Sequence, residues 1–460
     1  GAGANAGSGG AGANAGSGGT AGGSAGAAVA GAGGSSPAPL AQEIHWYGTR
    51  DVDLLFMVDN SASMTPLQNK LRANFPAFMN VLKGLPLPNV HIAVVSSDLG
   101  AGITGAPGCT NTGGDQGKFQ FAPKDPTVCA NAQLNPGQTF LSNIGGATNY
   151  TGDISDAFSC IAALGQGGCG LEHQLASVLR ALGADGSPAP AENTGFLRAN
   201  ALLAVVLITN EDDCSAPRDS MVFTDTSKYV SDPLGPLTSY RCNYVGHLCD
   251  GHKLPRDAAG GPYQTCVSAE DGVLLNVADV VAALKTLKSD PNQVLVSALT
   301  GPPTPYVVND DNTPTNDDPT RSWPLVRHSC TQADGTYADP SVRISQLLEA
   351  FGANGVFNTI CADSFTPALQ NIAGQIGKRV ASYQCLATAG TSTDCTFVDH
   401  VLDVTGARVD TPVPACATNG GAAPCWALVS DARCGTTHLV DVHRATGAAL
   451  PNSTTVTCRP

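Results

Sequence analysis

The chain has 460 residues, of which 13% are charged, and its net charge at neutral pH is −14. A chain of this length has room for about three domains. Its acidity disfavours a phosphate backbone or an anionic membrane surface as a partner, which argues against nucleic-acid binding and lipid-surface binding. No apolar run reaches the ~20 residues that a membrane-spanning helix requires.

Residues 1–38 consist almost entirely of Gly, Ala, Ser and Asn, and the nonapeptide at 1–9 is repeated at 10–18. A segment of this composition has nothing to bury, so we predict a flexible tether. A tether that opens a chain without Met is typical of a mature bacterial lipoprotein, in which a lipidated cysteine would precede residue 1. We therefore expect an extracellular, cell-surface or periplasmic protein that touches a membrane only through such an anchor. An outer-membrane lipoprotein is one form that this would take.

The chain contains 16 cysteines, all located between Cys109 and Cys458, and none of them forms a Cys-x-x-Cys pair. An even number of scattered cysteines predicts disulfide bonds formed in an oxidising compartment. The alternative is a structural zinc site, although ordinary zinc modules place their ligands in two tight pairs. One group of residues is close enough in sequence for it: Cys242, His247, Cys249 and His252.

A short apolar run at 54–58 has the length of a strand and ends at Asp59, and Ser61 and Ser63 follow at alternate positions. Ligand sites in open α/β sheets lie beyond the carboxyl ends of the strands. One carboxylate and two hydroxyls are hard oxygen donors, which suit Mg²⁺, Ca²⁺ or Mn²⁺. The alternative is that these residues only cap a helix that begins near Thr65.

Apolar side chains at helical spacing follow this loop from Leu67 to Leu82, and a second strand is predicted at 90–95. A strand, a helix and a strand in this order imply a right-handed parallel crossover. The alternation continues, with helices predicted at 171–182, 277–287, 344–351 and 365–380 and strands at 201–208, 294–299 and 355–361. We therefore predict an α/β domain over residues 45–382, with a doubly wound, mainly parallel sheet flanked by helices.

Three segments interrupt this alternation, at about 100–168, 214–271 and 302–340, and we predict disulfide-rich insertions there. Residues 309–318 are dense in oxygen donors but lack the Gly and the terminal Glu of an EF-hand loop, which favours a solvated loop over a calcium site. Residues 383–460 contain six cysteines and Thr/Val-rich runs with little helical periodicity. They predict a small disulfide-stapled β module, either separate or docked on the main domain.

The strand followed by Asp59-x-Ser61-x-Ser63 resembles the metal-ion-dependent adhesion site of von Willebrand factor type A domains. In that family, a Thr from the loop before the second helix and an Asp after a later central strand complete a Mg²⁺ site. An Asp or Glu of a protein partner then fills the open coordination position. The resemblance implies a Mg²⁺ site (or a Ca²⁺ or Mn²⁺ site) here. It places the Thr position near Cys169 and the Asp position at Asn210.

Both of these positions depart from the family pattern. The Cys169 sulfur is a poor ligand for a hard cation, and Asn210 offers a carbonyl oxygen without a charge. The residues that would compensate are Glu172, Thr148 and the acidic run of Glu211, Asp212 and Asp213. A solvated acidic turn is the alternative for the run at 211–213.

The sequence contains none of the common hydrolase, zinc-protease, P-loop or dinucleotide-binding signatures. We therefore predict a non-enzymatic, extracellular or surface-anchored protein-binding module. It would capture an acidic group of a partner protein through the divalent cation. One alternative is a structural or scaffold component of a cell-surface assembly with a degenerate metal site, which Cys169 and Asn210 favour. A second alternative, an extracellular hydrolase, has only the Cys/His group at 242–252 in its favour.

Overall fold

The computed structural model describes most of the chain beyond residue 39. The described residues are 40–45, 51–83, 89–104, 106, 108–109, 111–123, 126–217, 220–226, 232–256, 259–315, 318–380, 384–386, 394–402, 407–430, 434, 437–444, 451 and 453–459. The predicted tether and lipid anchor lie outside these residues. None of the helices in the described residues is both long and apolar enough to cross a bilayer.

The described residues form 22 strands and eight helices. The strands are β1 (Leu40–His45), β2 (Val52–Val58), β3 (Val90–Ser96), β4 (Leu141–Ile144), β5 (Ala147–Thr148), β6 (Leu202–Ile208), β7 (His247–Cys249), β8 (His252–Lys253), β9 (Gly260–Tyr263), β10 (Cys266–Ser268), β11 (Val294–Thr300), β12 (Tyr306–Thr315), β13 (Asp318–Val326), β14 (Cys330–Thr331), β15 (Tyr337–Ala338), β16 (Gly355–Thr359), β17 (Gln384–Cys385), β18 (Cys395–Leu402), β19 (Arg408–Val413), β20 (Cys425–Ser430), β21 (His438–His443) and β22 (Ser453–Cys458). The helices are α1 (Thr65–Lys83), α2 (Ile154–Ile161), α3 (Gln174–Leu182), α4 (Met221–Thr224), α5 (Tyr240–Gly246), α6 (Val277–Lys285), α7 (Val342–Ala350) and α8 (Thr366–Val380).

Seven strands form the central mixed sheet in the order β16-β11-β6-β2-β3-β4-β5. The pairs from β16 to β3 are parallel, and β4 and β5 continue the sheet in antiparallel pairing at one edge. Every residue of β2, β3, β6 and β11 is buried, because the sheet is covered on both faces. That coverage explains why these strands appear in the sequence as continuous apolar runs. The predicted α/β class is confirmed.

Side chains of β2 alternate between two hydrophobic cores, one on each face of the sheet. Leu54, Phe56 and Val58 enter the core that α1, α2 and α8 cover. Leu55 and Met57 enter the opposite core, which contains apolar residues of α3, α6 and α7. The loop that follows β2 therefore leaves the sheet from its centre, with helices packed on either side.

Two predicted elements differ from the structure. The helix predicted at 171–182 begins only at Gln174, because the extended residues before it bond to neighbouring loops: His173 N donates to Ser97 O at 2.9 Å. The segment predicted as a solvated loop at 309–318 belongs largely to a β-hairpin of β12 and β13. Its first residues pair because Tyr306 and Val308 lie fully buried in a satellite core.

All 16 cysteines form disulfide bonds, which confirms the prediction from their number and spacing. Cys242 bonds to Cys214 and Cys249 bonds to Cys266, so the alternative zinc site has lost both of its thiolates. The remaining pairs are Cys109–Cys169, Cys129–Cys160, Cys330–Cys361, Cys385–Cys434, Cys395–Cys458 and Cys416–Cys425.

The C-terminal residues form two small sheets around a core of their own. One sheet has the order β1-β22-β18-β19 and the other has the order β17-β21-β20. Ile44 of β1 is buried with Phe397, Val440 and Val456 in the shared core. Residues 40–44 of β1 fall outside both domains predicted from the sequence, and β1 pairs with β22 of this C-terminal sheet. The division of the chain at residue 383 otherwise stays a prediction.

Candidate functional site

Three loops meet at the carboxyl edge of the central sheet. Val58, the last residue of β2, pairs with Ser96 of β3 on one side and with Ile208 of β6 on the other. Because these strands are parallel and in register, the loops that follow them emerge side by side. The polar residues at 59–63, 97–98 and 209–213 are thereby brought to one edge of the sheet.

Asp59 is fully buried at the centre of this edge. Its Oδ1 accepts hydrogen bonds from Ser61 N at 2.8 Å and from Ser97 Oγ at 3.1 Å, and its Oδ2 accepts one from Thr209 Oγ1 at 2.7 Å. Burial raises the pKa of the Asp59 carboxyl, and these neutral donors only partly oppose the rise. No lysine, arginine or histidine in the described part of the chain forms an ion pair with it.

The two serines of the loop have different surroundings. The Ser61 hydroxyl lies close enough to Asp59 to oppose the rise in that carboxyl's pKa, yet Ser61 Oγ is buried and has no hydrogen-bond partner of normal geometry among the described residues. Ser63 Oγ donates to Asn210 Oδ1 at 3.0 Å. The structure therefore brings Asp59, Ser61, Ser63 and Asn210 together, and Glu172, which was also predicted as a site residue, lies near enough for its charge to interact with that of Asp59.

The loop before α3 approaches the site through its backbone. Gly168 N donates to Asn60 O at 2.9 Å, and a Cβ on Gly168 would overlap the Asn60 side chain. Cys169, at the position of the family's Thr, is bonded to Cys109 and has no free thiol to offer. Thr148 lies exposed in β5 and bonds to a nearby backbone carbonyl, so it is not brought to the site.

Two hydroxyls near Asp59 were missed by the sequence analysis. Thr209 directly follows β6 and Ser97 follows β3, and both donate to the Asp59 carboxylate. Their place just after a buried strand is the signal that would have found them. Gln68 of α1 was also missed: its Nε2 donates to the backbone carbonyls of Asp59 and Gly165, both at 2.8 Å, and so ties two loops together.

Asp212 and Asp213 have structural partners instead of facing Asp59. Asp212 accepts hydrogen bonds from the first backbone N–H groups of α7 and from His247 Nε2 at 2.8 Å. Although burial opposes it, the bond to His247 helps to hold the pKa of Asp212 below its usual value. Asp213 Oδ2 accepts from Arg343 Nη2 at 3.0 Å, and its Oδ1 accepts from Leu175 N at 2.9 Å. We correct the predicted ligand set by leaving both aspartates out.

Glu172 and Glu211 form a close pair of carboxyl groups beside Asp59. Burial, followed by the charges of Glu211 and Asp59, raises the pKa of Glu172 well above its usual value. Burial and the charges of Asp339 and Asp59 raise the pKa of Glu211 to about 8. With Asp212 nearby at 8% exposure, the run at 211–213 is not the solvated acidic turn considered above.

An open cleft of about 700 Å³ lies between α3, the turn at 99–102 and a segment that includes Ala216, Pro217 and Phe223. The basic side chains on its wall already have partners. Arg180 Nη1 donates to Pro188 O at 2.6 Å, and His173 Nε2 lies 2.9 Å from Gly100 O. The edge of the sheet, with its buried and unsatisfied oxygens, is therefore the stronger candidate for a functional site.

No protein-family model and no curated protein matches this chain. Among solved structures, the chain is similar to the pilus adhesin SpaC from Lactobacillus rhamnosus GG in its open conformation, with 11% identity and a TM-score of 0.30 over 90% of this chain and 39% of that one. It is also similar to the pilus adhesin RrgA from Streptococcus pneumoniae, with 9% identity and a TM-score of 0.28 over 91% of this chain and 57% of that one. The chain thus spans less than two thirds of either adhesin. TM-scores this low do not establish a shared fold, and the functional assignment depends on the site itself.

Proposed function

We propose that the chain is a non-enzymatic protein-binding module of the type A kind, exposed outside the cell or on its surface. A divalent cation held by Asp59, Ser61, Ser63 and Asn210 would capture an acidic group of a partner protein. The all-buried parallel strands with helices on both faces agree with the doubly wound architecture that the resemblance implies. The eight disulfides agree with an oxidising compartment.

The observation that carries this proposal is the buried Asp59 carboxylate beside the Ser61 hydroxyl, which has no hydrogen-bond partner of normal geometry among the described residues. A buried carboxylate without a positive partner is strongly disfavoured, and a buried hydroxyl without a hydrogen bond costs about 1–3 kcal/mol. One cation between these oxygens would offset both penalties. The donors are all hard oxygens, so the chemistry of the residues present fits Mg²⁺, Ca²⁺ or Mn²⁺.

In this mechanism the protein residues orient and hold the ligands. Thr209 and Ser97 fix the Asp59 carboxylate from two sides, and Gln68 holds the backbone of Asp59. Ser63 and Asn210 lie in contact and supply only neutral oxygens. The bound cation supplies a positive charge that attracts a carboxylate. With one negative ligand in this set, much of that charge stays available to a partner.

We propose binding without covalent chemistry. An activated serine nucleophile needs an adjacent general base. Ser63 instead bonds to an asparagine, and Ser61 Oγ has no hydrogen-bond partner in the described residues. The Cys/His group at 242–252, which favoured the hydrolase alternative, has both of its cysteines in disulfides.

The test uses Mn²⁺ as the probe cation and acetate as the simplest carboxylate. We expect the purified chain to bind Mn²⁺, detected by electron paramagnetic resonance, and we expect Asp59→Asn to lose that binding. Acetate should lower the water-proton relaxation enhancement of the bound Mn²⁺, because it replaces water at the open position, whereas neutral acetamide should not. Asp156→Asn, which removes an exposed carboxylate in the first turn of α2, is the matched control.

Undiminished Mn²⁺ binding in Asp59→Asn would contradict the proposal. A parent chain that binds no Mn²⁺ would favour the second candidate, a structural component of a cell-surface assembly. The observation behind that candidate is the pair of departures from the family pattern: Cys169 is held in a disulfide, and Asn210 carries no charge.

A further inference from the structure

The C-terminal sheets contain a cluster of sulfur and nitrogen atoms that differs in chemistry from the Asp59 loop. The sulfurs of Cys416 and Cys425 and an imidazole nitrogen of His443 lie within 4.8 Å of one another. Among the described residues, no other group of three or more histidine, cysteine, aspartate or glutamate side chains brings its ligand atoms this close together. Thiolate and imidazole ligands suit Zn²⁺, whereas the oxygens of the Asp59 loop suit hard cations.

The backbone holds the three residues of this cluster side by side. Cys425 of β20 pairs with His443 of β21 in antiparallel register, so their side chains leave the same face of the sheet. Cys416 N donates to Trp426 O at 2.8 Å, and Trp426 N donates to Pro414 O at 3.0 Å. The segment that carries Cys416 therefore runs along β20. These hydrogen bonds hold the cluster together in addition to the disulfide between its two cysteines.

Asp441 orients the imidazole of His443. Its Oδ2 lies 2.9 Å from His443 Nε2. A carboxylate on one ring nitrogen of a histidine fixes the ring and leaves the other nitrogen, here Nδ1, for a metal. Cys425 is fully buried and Cys416 is half-buried, whereas 54% of the His443 side chain is exposed. A cation can therefore reach the cluster from the His443 side and keep a water as its fourth ligand.

The Cys416–Cys425 disulfide decides whether this cluster can bind a cation. While the two sulfurs are bonded to each other, neither is a thiolate. Their separation of nine positions is the shortest of the eight disulfides, so the chain-entropy model gives this bond the smallest share of the stabilisation. The residues between them, 417–424, are mostly exposed. Reduction of one bond here frees both thiols, whereas the Cys/His group at 242–252 has its cysteines in two different disulfides.

We propose that Cys416, Cys425 and His443 form a Zn²⁺ site that opens when a dithiol reduces their disulfide. The dithiol gives two electrons and two protons to the S–S bond and leaves as its own disulfide, and the protein keeps two thiols. Zn²⁺ then displaces both thiol protons, which pass to the solvent, and binds the two thiolates and the imidazole. This site does not rest on the function proposed above.

The experiment follows the alkylation of each cysteine by mass spectrometry. The full chain is treated with limited dithiothreitol, freed of the reagent, and alkylated with and without Zn²⁺. We expect Zn²⁺ to slow the alkylation of Cys416 and Cys425 in the parent, and we expect His443→Gln to lose this protection. Asp441→Asn removes the group that orients the imidazole, so it should need about 10- to 100-fold more Zn²⁺ for the same protection.

The disulfide between Cys249 and Cys266 is a matched control within the same sample. Cys249 of β7 pairs with Cys266 of β10 on one side and with His252 of β8 on the other. A histidine again faces a disulfide, but these three ligand atoms do not converge within 4.8 Å. At the Zn²⁺ concentration that protects the Cys416 pair, alkylation of Cys249 and Cys266 should stay unchanged. His252→Gln should protect Cys416 and Cys425 as fully as the parent does.

Equal alkylation of Cys416 and Cys425 with and without Zn²⁺ overturns the proposal. Full protection in His443→Gln, or equal protection of Cys249 and Cys266, does the same, because the imidazole would then add nothing. Circular dichroism in the near ultraviolet follows the fold during reduction. If the Cys416–Cys425 bond is reduced only as the chain unfolds, the proposal also fails. The Mn²⁺ experiment on Asp59 uses the oxidised chain, so its outcome is independent of this one.

Discussion

At the scale of single residues, two buried serines can be compared to test whether a hydroxyl binds a cation or only packs in the interior. Ser61 Oγ and Ser177 Oγ both lie buried without a hydrogen-bond partner of normal geometry among the described residues, but only Ser61 lies beside Asp59. Removing an unsatisfied buried hydroxyl is nearly neutral or stabilising for a folded protein. The two side chains are therefore a matched pair in which only one hydroxyl should affect a cation.

We expect Ser61→Ala to keep the metal-free unfolding free energy within about 0.5 kcal/mol of the parent value. The same variant should lose most of the rise in unfolding temperature that Mg²⁺ produces, because a ligand oxygen has been removed. Ser177→Ala should keep the full rise. Differential scanning fluorimetry with and without Mg²⁺ checks both variants, and an equal rise in Ser61→Ala and Ser177→Ala would count against a metal at this loop.

A second residue-scale prediction concerns His91, on β3 and far along the sheet from the Asp59 edge. Its Nδ1 lies 2.9 Å from Phe196 O and 3.7 Å from Asp53 Oδ1, and Asp51 and Arg198 also act on it electrostatically. Burial lowers the pKa of His91 below its usual 6.5. The unfolded chain therefore binds more protons than the folded chain just below that value.

Stability from His91 is fully present above about pH 6.5 and is lost as the pH falls toward the lower pKa of the folded state. His91 contributes a fall in the free energy of unfolding between about pH 7 and pH 5.5, whereas the raised pKa values of Glu172 and Glu211 act in the opposite direction over the same interval. When the pH is lowered from about 7 to about 5.5, we therefore expect His91→Gln, which keeps a donor for the Phe196 carbonyl, to gain stability relative to the parent, as measured by unfolding in urea. His443→Gln replaces an exposed histidine and should behave like the parent. An identical pH profile for His91→Gln would contradict the prediction.

The sequence predicted the Asp59 loop because each of its three oxygen donors lies directly after one apolar strand. It did not predict the roles of Asp212 and Asp213. An acidic run after a strand has the same appearance whether it faces a metal or an arginine. The partners that decide the matter, Arg343 and the start of α7, are 130 positions further along the chain.

At the scale of structural elements, two disulfides near the site lead to a testable prediction. Cys109–Cys169 and Cys129–Cys160 span 60 and 31 positions of sequence, and the chain-entropy model gives each about 4 kcal/mol of stabilisation. Only Cys109–Cys169 anchors the turn whose Gly168 bonds to the Asn60 carbonyl. The two disulfides should therefore stabilise the fold by similar amounts, but only Cys109–Cys169 supports a turn that contacts the Asp59 loop.

We expect Cys109→Ala/Cys169→Ala and Cys129→Ala/Cys160→Ala each to lower the free energy of unfolding by about 4 kcal/mol. The first variant should also weaken Mg²⁺ binding about 10- to 100-fold, the usual effect of losing support behind metal ligands. Isothermal titration calorimetry below the unfolding temperature of both variants gives the comparison. Equal Mg²⁺ affinity in the two variants would show that the turn does not support the site.

The central elements were predictable because buried parallel strands are apolar throughout and the helices between them keep a helical period. The hairpin of β12 and β13 was not predictable, because its strands are rich in Asp, Asn, Thr and Pro, a composition that is typical of loops. Only the structure shows that Tyr306 and Val308 are buried, and their burial holds β12 in place to pair with its neighbours.

At the scale of the whole molecule, β1 connects the beginning of the described chain to its end. Six residues of β1 pair with β22, and Ser453 Oγ donates to Glu43 Oε1 at 2.6 Å across 410 positions of sequence. No local pattern predicts a contact of that separation. The small module was predicted from residues 383–460 alone, without the strand that completes it.

We expect Ile44→Ala to destabilise the C-terminal sheets by about 2–5 kcal/mol, because it opens a cavity beside Phe397 and Val456. Hydrogen exchange should become faster in β18 and β22 while it stays unchanged in β2 and β6. Val409→Ala removes an exposed valine from the same sheet and is the control, with no change expected. Faster exchange in β2 would instead indicate that the two parts of the chain unfold as one unit.

The pairing of β1 with β22 also has a mechanical consequence. If the proposed site held a partner while the N-terminal end of the chain was fixed, the chain would be pulled between those two points. The covalent path from Leu40 to Asp59 is short, and it runs through β1 and then along β2, the central strand of the main sheet. β22 lies beside this path and not on it, so such a pull would act first on the hydrogen bonds between β1 and β22. The Cys395–Cys458 disulfide joins β18 to β22 and would keep those two strands together if β1 were removed.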